Sequence, residues 1–265
     1  MGPLVKTVFG TVDIDRLKGE EFLDKVCREK IEKTIEEGYV ELADKLGAYR
    51  NAMSMKREKI TDKAVFVAKK RYILNALNSE GVHFAKPKIS VTGIESVRSS
   101  TPEICREKMK KSFEVIMNGS ERDVQQFIEG FRTEFYSLPA ESISKISGTD
   151  NIEKYVEKGT YKKGCPMHVR GSILYNTFLK KNSLDNKYPL IQSGDKIKFV
   201  YLKTPNPIRE NMISFPNVLP KELGLEKYID YETQFEKVFL SPIENILGAI
   251  GWSSKKIDTL ESFFS

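Results

Sequence analysis

The chain has 265 residues, 40% hydrophobic and 30% charged, which is enough apolar material for one or two globular cores and excludes a largely disordered protein. No apolar run approaches the roughly 20 residues of a membrane span, and "MGPLVKTVFG" lacks a signal peptide's basic flank and long apolar stretch, so no membrane partner and a cytoplasmic location are expected. The formal charge of +6 is unevenly spread, with ten Lys/Arg against four Asp/Glu in residues 53–98, eight against four in 141–181 and four against eight in 222–265; two basic zones before an acidic end suit a polyanion-binding surface, although a solvated face leaves the same signature.

Leu23, Val26, Cys27, Ile31, Ile35, Tyr39, Leu42 and Leu46 recur at three- and four-residue spacing. Residues 19–48 therefore read as a long amphipathic helix that tolerates Gly38. "MSMKREKI", "AVFVAKKRYILNAL" and "VHFAKPKISVTGIE" are rich in β-branched and aromatic residues and read as three strands, with "NSEG" at 78–81 as the turn between the last two. The expected fold is α+β: a long helix on a small, mostly antiparallel sheet, followed by a mainly helical region, with the boundary near residue 99. One feature of the second strand has no folding rationale. "AKKRYIL" places Lys69, Lys70 and Arg71 together ahead of an apolar run, and a strand that buries one face gains nothing from cations on both sides.

Beyond the boundary, "SSTPEICREKM" places Thr101 as a helix cap and Pro102 as the first helical residue. Ser120 and Asp123 resemble a capping box, with Val124, Phe127, Ile128, Phe131 and Phe135 as the apolar stripe of a second helix. "HVRGSILYNTFLKK" reads as a third helix and "GDKIKFVYL" as a strand. Tyr231, Phe235, Val238 and Phe239 mark a late helix that Pro242 ends or kinks.

Familiar catalytic constellations are scarce. His83 and His168 are the only histidines, and neither a GxxxxGK[ST] nor a GxGxxG loop is present. Cys27, Cys105 and Cys165 are odd in number and far apart, which supports neither a disulfide framework nor a zinc site. Asp13 and Asp15 in "TVDID" would share one side of a strand and could hold a divalent metal, but a DxD pair is too common to establish one.

"MKREKI", "AKKRY", "SSTP", "CPMHVRGSILYN", "SGDKIKFV" and "ISFPNVLPKEL", in that order, resemble the C-terminal part of the family B replicative DNA polymerases of T-even-type bacteriophages. The likeness runs from about residue 11 to the end. It implies the end of the palm in residues 1–98, the thumb in 99–252 and a sliding-clamp-binding tail in 253–265. The family's KKRY motif faces newly formed duplex, so Lys69, Lys70, Arg71 and Tyr72 would meet phosphates and minor-groove acceptors, which differ little between base pairs. Arg98 matches a position where a relative carries lysine. The segments "SISKISGTDNIEKY" and "KKGCPMHVRG" match family stretches on the duplex backbone, which implies contacts from Ser144, Asn151, Tyr155, Lys162, Lys163, His168 and Arg170. Packing in a core is the alternative for Tyr155 and His168. In the tail, Leu260, Phe263 and Phe264 have the spacing of a clamp-binding peptide, although Ile257 stands where many such peptides carry glutamine.

The departures from the family pattern are as informative. Its two Mg²⁺-binding aspartates lie in the motifs DxxSLYP and YGDTDS, and neither motif is in these 265 residues. Glu58 matches a supporting third carboxylate only. The resemblance thus implies the DNA-gripping part of a DNA-directed DNA polymerase, inactive without an N-terminal portion or subunit, and either a truncated form or one half of a split phage enzyme in the host cytoplasm. Two other classes fit the same residues: a non-catalytic module that binds duplex DNA or a clamp, and an independent metal-dependent enzyme using Asp13, Asp15 and Glu58.

Overall fold

The apolar spacing that starts near residue 19 produces a long helix with a change of phase inside it. In the computed structural model, which describes residues 16–157 and 160–255, α1 (Arg16–Val26) passes through a π-helical turn (Cys27–Glu32) into α2 (Lys33–Lys45). A π turn accommodates an extra residue, which rotates the following face by roughly 100° about the axis. The expected stripe is interrupted at Ile31 within the turn, resumes at the partly covered Ile35 and Tyr39, and fails at Leu42 and Leu46. Leu23 and Val26 are partly covered, whereas Ile31, Leu42 and Leu46 are 50%, 43% and 72% exposed and Ala43 takes the buried position.

Residues 53–58, expected as strand, have no regular structure. Polar groups of the core hold them instead. Arg57 N–H donates to Glu32 Oε1 at 2.5 Å, and its guanidinium donates to Asn78 Oδ1 at 2.9 Å and pairs with Asp24. Asp24 and Asn78 are buried, so the arginine satisfies acceptors that would otherwise be costly to enclose. β1 (Lys59–Ala68), β2 (Arg71–Ser79) and β3 (Val82–Thr92) follow as a three-stranded sheet in chain order. The expected turn after β2 is present, with Glu80 and Gly81 at φ 50° and 88°. The single strand expected over 64–77 is two strands: the chain reverses at Lys69-Lys70.

The molecule divides into two compact units, Met1–Phe66 with Tyr72–Val91 and Val67–Arg71 with Thr92–Ser265. In the second, α3 (Glu103–Asn118) starts one residue later than expected. Pro102, not Thr101, is its cap, because the Pro102 carbonyl accepts the first intrahelical bond from Arg106 N–H at 3.0 Å while Thr101 is buried. α4 (Glu121–Phe135) carries the expected capping box: Ser120 N–H donates to Asp123 Oδ2 at 2.8 Å, and these bonds hold the Asp123 carboxyl below its ordinary range. Its stripe buries Val124, Ile128, Phe131 and Phe135, with Phe127 half-covered.

Short elements come next, α5 (Ala140–Ile143), β4 (Lys145–Gly148), α6 (Ile152–Tyr155), β5 (Val156–Glu157) and β6 (Thr160–Tyr161), before α7 (Met167–Lys181). β7 (Lys196–Tyr201) is the expected strand, but it is central to an unforeseen antiparallel sheet β4-β7-β8, with Met212–Phe215 as β8. α7 lies against β8 through Gly171, where a Cβ would stand 2.5 Å from Ser214 Oγ and 2.9 Å from its nitrogen. The late helix is α8 (Tyr231–Phe235), a π turn (Glu236–Leu240) and α9 (Ser241–Ala249). Pro242 neither ends nor breaks it. The proline lies in the first turn of α9, and its ring would crowd the carbonyl four residues back, at Val238, which lies in the wider π turn. The architecture is α+β with small antiparallel sheets, as expected.

The core of the second unit is aromatic. Phe131 has ring centroids of Phe239, Phe235 and Phe135 at 4.7, 5.7 and 5.8 Å, two of them edge-on. Gln234 is enclosed nearby with both ends satisfied, accepting from Tyr201 N–H at 3.1 Å and donating to the Ile143 carbonyl at 2.6 Å. Phe131→Ala would remove the ring on which the others converge. We expect a loss of about 3–5 kcal/mol in urea unfolding followed by circular dichroism, and a loss under about 1 kcal/mol would show that the cluster repacks.

Candidate nucleic-acid interface

The "AKKRY" motif occupies the tip of the β1–β2 hairpin. Lys69 and Lys70 are its two exposed turn residues, and Lys70 has φ 60°, a left-handed conformation disfavoured for a residue with a Cβ. A tertiary contact accompanies it. At Gly93 (φ 67°), an added Cβ would stand 2.1 Å from the Lys70 carbonyl oxygen and 3.2 Å from Arg71 Cγ, so only glycine lets the two backbones approach this closely.

Two residues on, Glu95 faces the cations that flank the tip. Arg71 Nη2 donates to both its carboxylate oxygens, at 3.0 and 3.2 Å, and Arg98 Nη1 lies 3.6 Å from Oε1. Lys145, on β4, joins this group electrostatically. Burial pushes its ammonium below the ordinary range, Glu95 opposes that shift, and Arg98 and Lys237 reinforce it. Tyr72 turns to an apolar neighbour, its ring 5.8 Å from that of Phe66.

The other sequence-predicted residues are distributed over β4, α6 and α7. Ser144 is buried, and its hydroxyl donates to the Ala140 carbonyl; it lines a cleft of about 490 Å³ with Arg106, Glu141 and Lys198. Asn151 is exposed at φ 55°, fixed by its N–H bond to Ser193 Oγ at 2.7 Å. The Tyr155 carbonyl accepts from Lys162 N–H at 2.9 Å, which brings α6 beside the exposed Lys162-Lys163 pair.

His168 and Arg170 lie in the first turn of α7, where the Gly171 contact seats the helix. The His168 carbonyl accepts from Ser172 Oγ and Ser214 Oγ, each at 2.8 Å. Burial holds its imidazole below the ordinary 6.5, with Asp150 opposing, so the ring is neutral at pH 7 and offers a hydrogen bond rather than a charge. Arg170 is tied down: Nη2 donates to Asn211 Oδ1 at 2.9 Å, Glu210 stands 3.6 Å from Nε, and the guanidinium lies 5.4 Å from the Tyr161 ring centroid.

The structure thus brings Lys69, Lys70, Arg71 and Arg98 to one segment around Gly93 and Glu95; Glu58 belongs to the first unit. Glu58 is 67% exposed beside Lys59 at 3.4 Å, on a cleft of about 770 Å³ shared with Arg57, Glu80 and His83. Among the described residues no group of three or more His, Cys, Asp or Glu could hold a metal ion. Asp13 and Asp15, like Leu260, Phe263 and Phe264, lie outside the described residues. Also among these, no helix is long and apolar enough to cross a membrane. Sequence reasoning missed Gly93, Glu95 and Lys145. The only signal available was an acid just after a glycine inside a basic zone.

A family model described as DNA polymerase family B matches residues 26–250. The chain belongs to that family. It is 30% identical over 276 aligned residues to the DNA-directed DNA polymerase of Enterobacteria phage T4, covering 98% of this chain and 30% of that protein. It is 31% identical over 257 residues to the DNA-directed DNA polymerase of Escherichia phage RB69, covering 92% of this chain and 28% of that one. The affinity is with the T-even type, and the chain spans about 30% of the length of these relatives.

Two outcomes follow from the geometry. Gly93→Ala combines a disfavoured φ with a backbone overlap, so it should cost more than about 1 kcal/mol in urea unfolding; an unchanged midpoint would show that the tip moves freely. The half-buried His168 has a folded pKa below its unfolded one, so its contribution is present above about pH 6.5 and lost as pH falls. The wild type should therefore lose more stability than His168→Asn between pH 7.5 and pH 5, and parallel losses would assign the pH dependence elsewhere.

Proposed function

We propose that the chain is the duplex-gripping C-terminal portion of a DNA-directed DNA polymerase, with residues 1–98 ending the palm, 99–252 forming the thumb and 253–265 a clamp-binding tail. The observation that carries this reading is family membership across residues 26–250. Support comes from the lysine turn that Gly93 holds in place. The exposed ammonium groups of Lys69, Lys70, Lys162 and Lys163 neutralise phosphates without reading sequence. Arg71 and Arg98 supply donors to phosphate or minor groove in a fixed direction. Asn151, Tyr155, neutral His168 and the anchored Arg170 add polar contacts along the backbone, whereas the Ser144 side chain, expected to join them, is buried with its hydroxyl committed to the Ala140 carbonyl and supplies none.

Family B polymerases generally use Mg²⁺, and the two aspartate motifs expected to hold it are absent from these 265 residues. Nucleotidyl transfer therefore needs the N-terminal portion of the polymerase, covalent or separate, with Glu58 as a supporting carboxylate at most. The clamp contact through Leu260, Phe263 and Phe264 rests on sequence spacing alone.

Anisotropy titration with a primer–template duplex tests the reading. Binding should ignore sequence and weaken steeply with salt, each neutralised phosphate contributing about −0.9 to the slope of log K against log salt, and Lys69→Ala with Lys70→Ala should flatten that slope by about one to two. Primer extension should appear only when a fragment bearing both aspartate motifs is added. Absence of duplex binding at about 50 mM salt, or extension by this chain alone, would overturn the proposal.

A further inference from the structure

Arg71 and Arg98 share one carboxylate. Among the described residues, Glu95 supplies the hydrogen bonds of the Arg71 guanidinium, since Nη2 grips both oxygens while Nε is enclosed without a partner. The pair is partly shielded, with side chains 29% and 21% exposed, and Arg98 at 56% leans on the same carboxylate from the solvent side. The position of Glu95 is in turn set by the hairpin tip. Two residues before it, Gly93 lies against the Lys70 carbonyl, so the carboxylate is indexed to the turn that carries Lys69 and Lys70. Without a counter-charge, neighbouring cations in a partly desolvated site repel and their long side chains disperse into solvent.

We propose that Glu95 is a positioning residue for polyanion binding: its carboxylate gathers Arg71 and Arg98 beside the lysine turn and aims their donors outward at a nucleic-acid backbone or groove edge. This rests on the duplex-binding reading above. An acidic side chain thereby strengthens the binding of a polyanion that its own charge repels. The sign of its effect separates this role from simple electrostatics, because removal of a negative charge from a basic surface otherwise tightens DNA binding.

The test is anisotropy titration of the full chain with a labelled primer–template duplex at low salt, using Glu95→Gln, which keeps the shape and removes the charge. It is repeated in a background of Arg71→Ala and Arg98→Ala. In the native background Glu95→Gln should weaken binding about three- to tenfold, the range of one hydrogen bond of ordinary net strength. In the double-alanine background nothing remains to position, and the same change should tighten binding. Tightening in both backgrounds would overturn the positioning role and leave duplex binding intact. Weakening in both would overturn it in favour of general destabilisation, and failure of the wild type to bind duplex would overturn both proposals.

Discussion

Cations crowded on one surface repel one another before any ligand arrives, and this chain meets that constraint differently for several of its arginines and for the lysines at its turns. Several arginines are tied to carboxylates: Arg57 to Asp24, Arg71 and Arg98 to Glu95, Arg132 to Glu129 and Glu232, and Arg170 to Glu210. The lysines at the turns are left alone. Lys69, Lys70, Lys162 and Lys163 are exposed, at or beside reversals of the chain, with no ion pair among the described residues. The division follows from side-chain chemistry. A planar guanidinium can be fixed by a carboxylate and still present donors, while an ammonium on a flexible stem works as a hydrated point charge.

Two glycines do for the backbone what the carboxylates do for the arginines. Gly93 admits the Lys70 carbonyl and Gly171 admits the Ser214 backbone, and in both places a side chain would push apart segments that carry candidate contacts. One holds the lysine turn; the other seats the helix of His168 and Arg170. Both contacts join residues more than twenty positions apart in sequence, so neither arises from local preference.

That distinction explains what was legible in the sequence. The capping box at Ser120 and Asp123, the stripe of α4, the bounds of α7 and the turn at Glu80-Gly81 are local patterns, and they are present as read. The Lys69-Lys70 reversal is not local. It has no glycine, asparagine or proline of its own, and its left-handed lysine is accompanied by a contact at Gly93, so "AKKRY" reads as strand. β4 and β8 are four residues each and gain their identity only by pairing with β7. Basic residues of the candidate surface could be found from the family likeness, but Glu95 could not, because an acid inside a basic zone looks like dilution until its partners are seen. Arg57 misled for a related reason: its strand-like neighbourhood is claimed by buried acceptors on other elements.

The π turns at Cys27–Glu32 and Glu236–Leu240 have a consequence for heredity. Each is a place where a helix already carries one residue more than its winding needs. Loss of a single codon there would restore a regular helix and swing the downstream face through roughly 100°, whereas the same loss elsewhere in the helix would have to be absorbed by the loops. Lineages related to this one can therefore differ in length by one residue at these two points while both halves of each helix keep their identity, and correspondence between homologous side chains has to be established separately on either side of the turn.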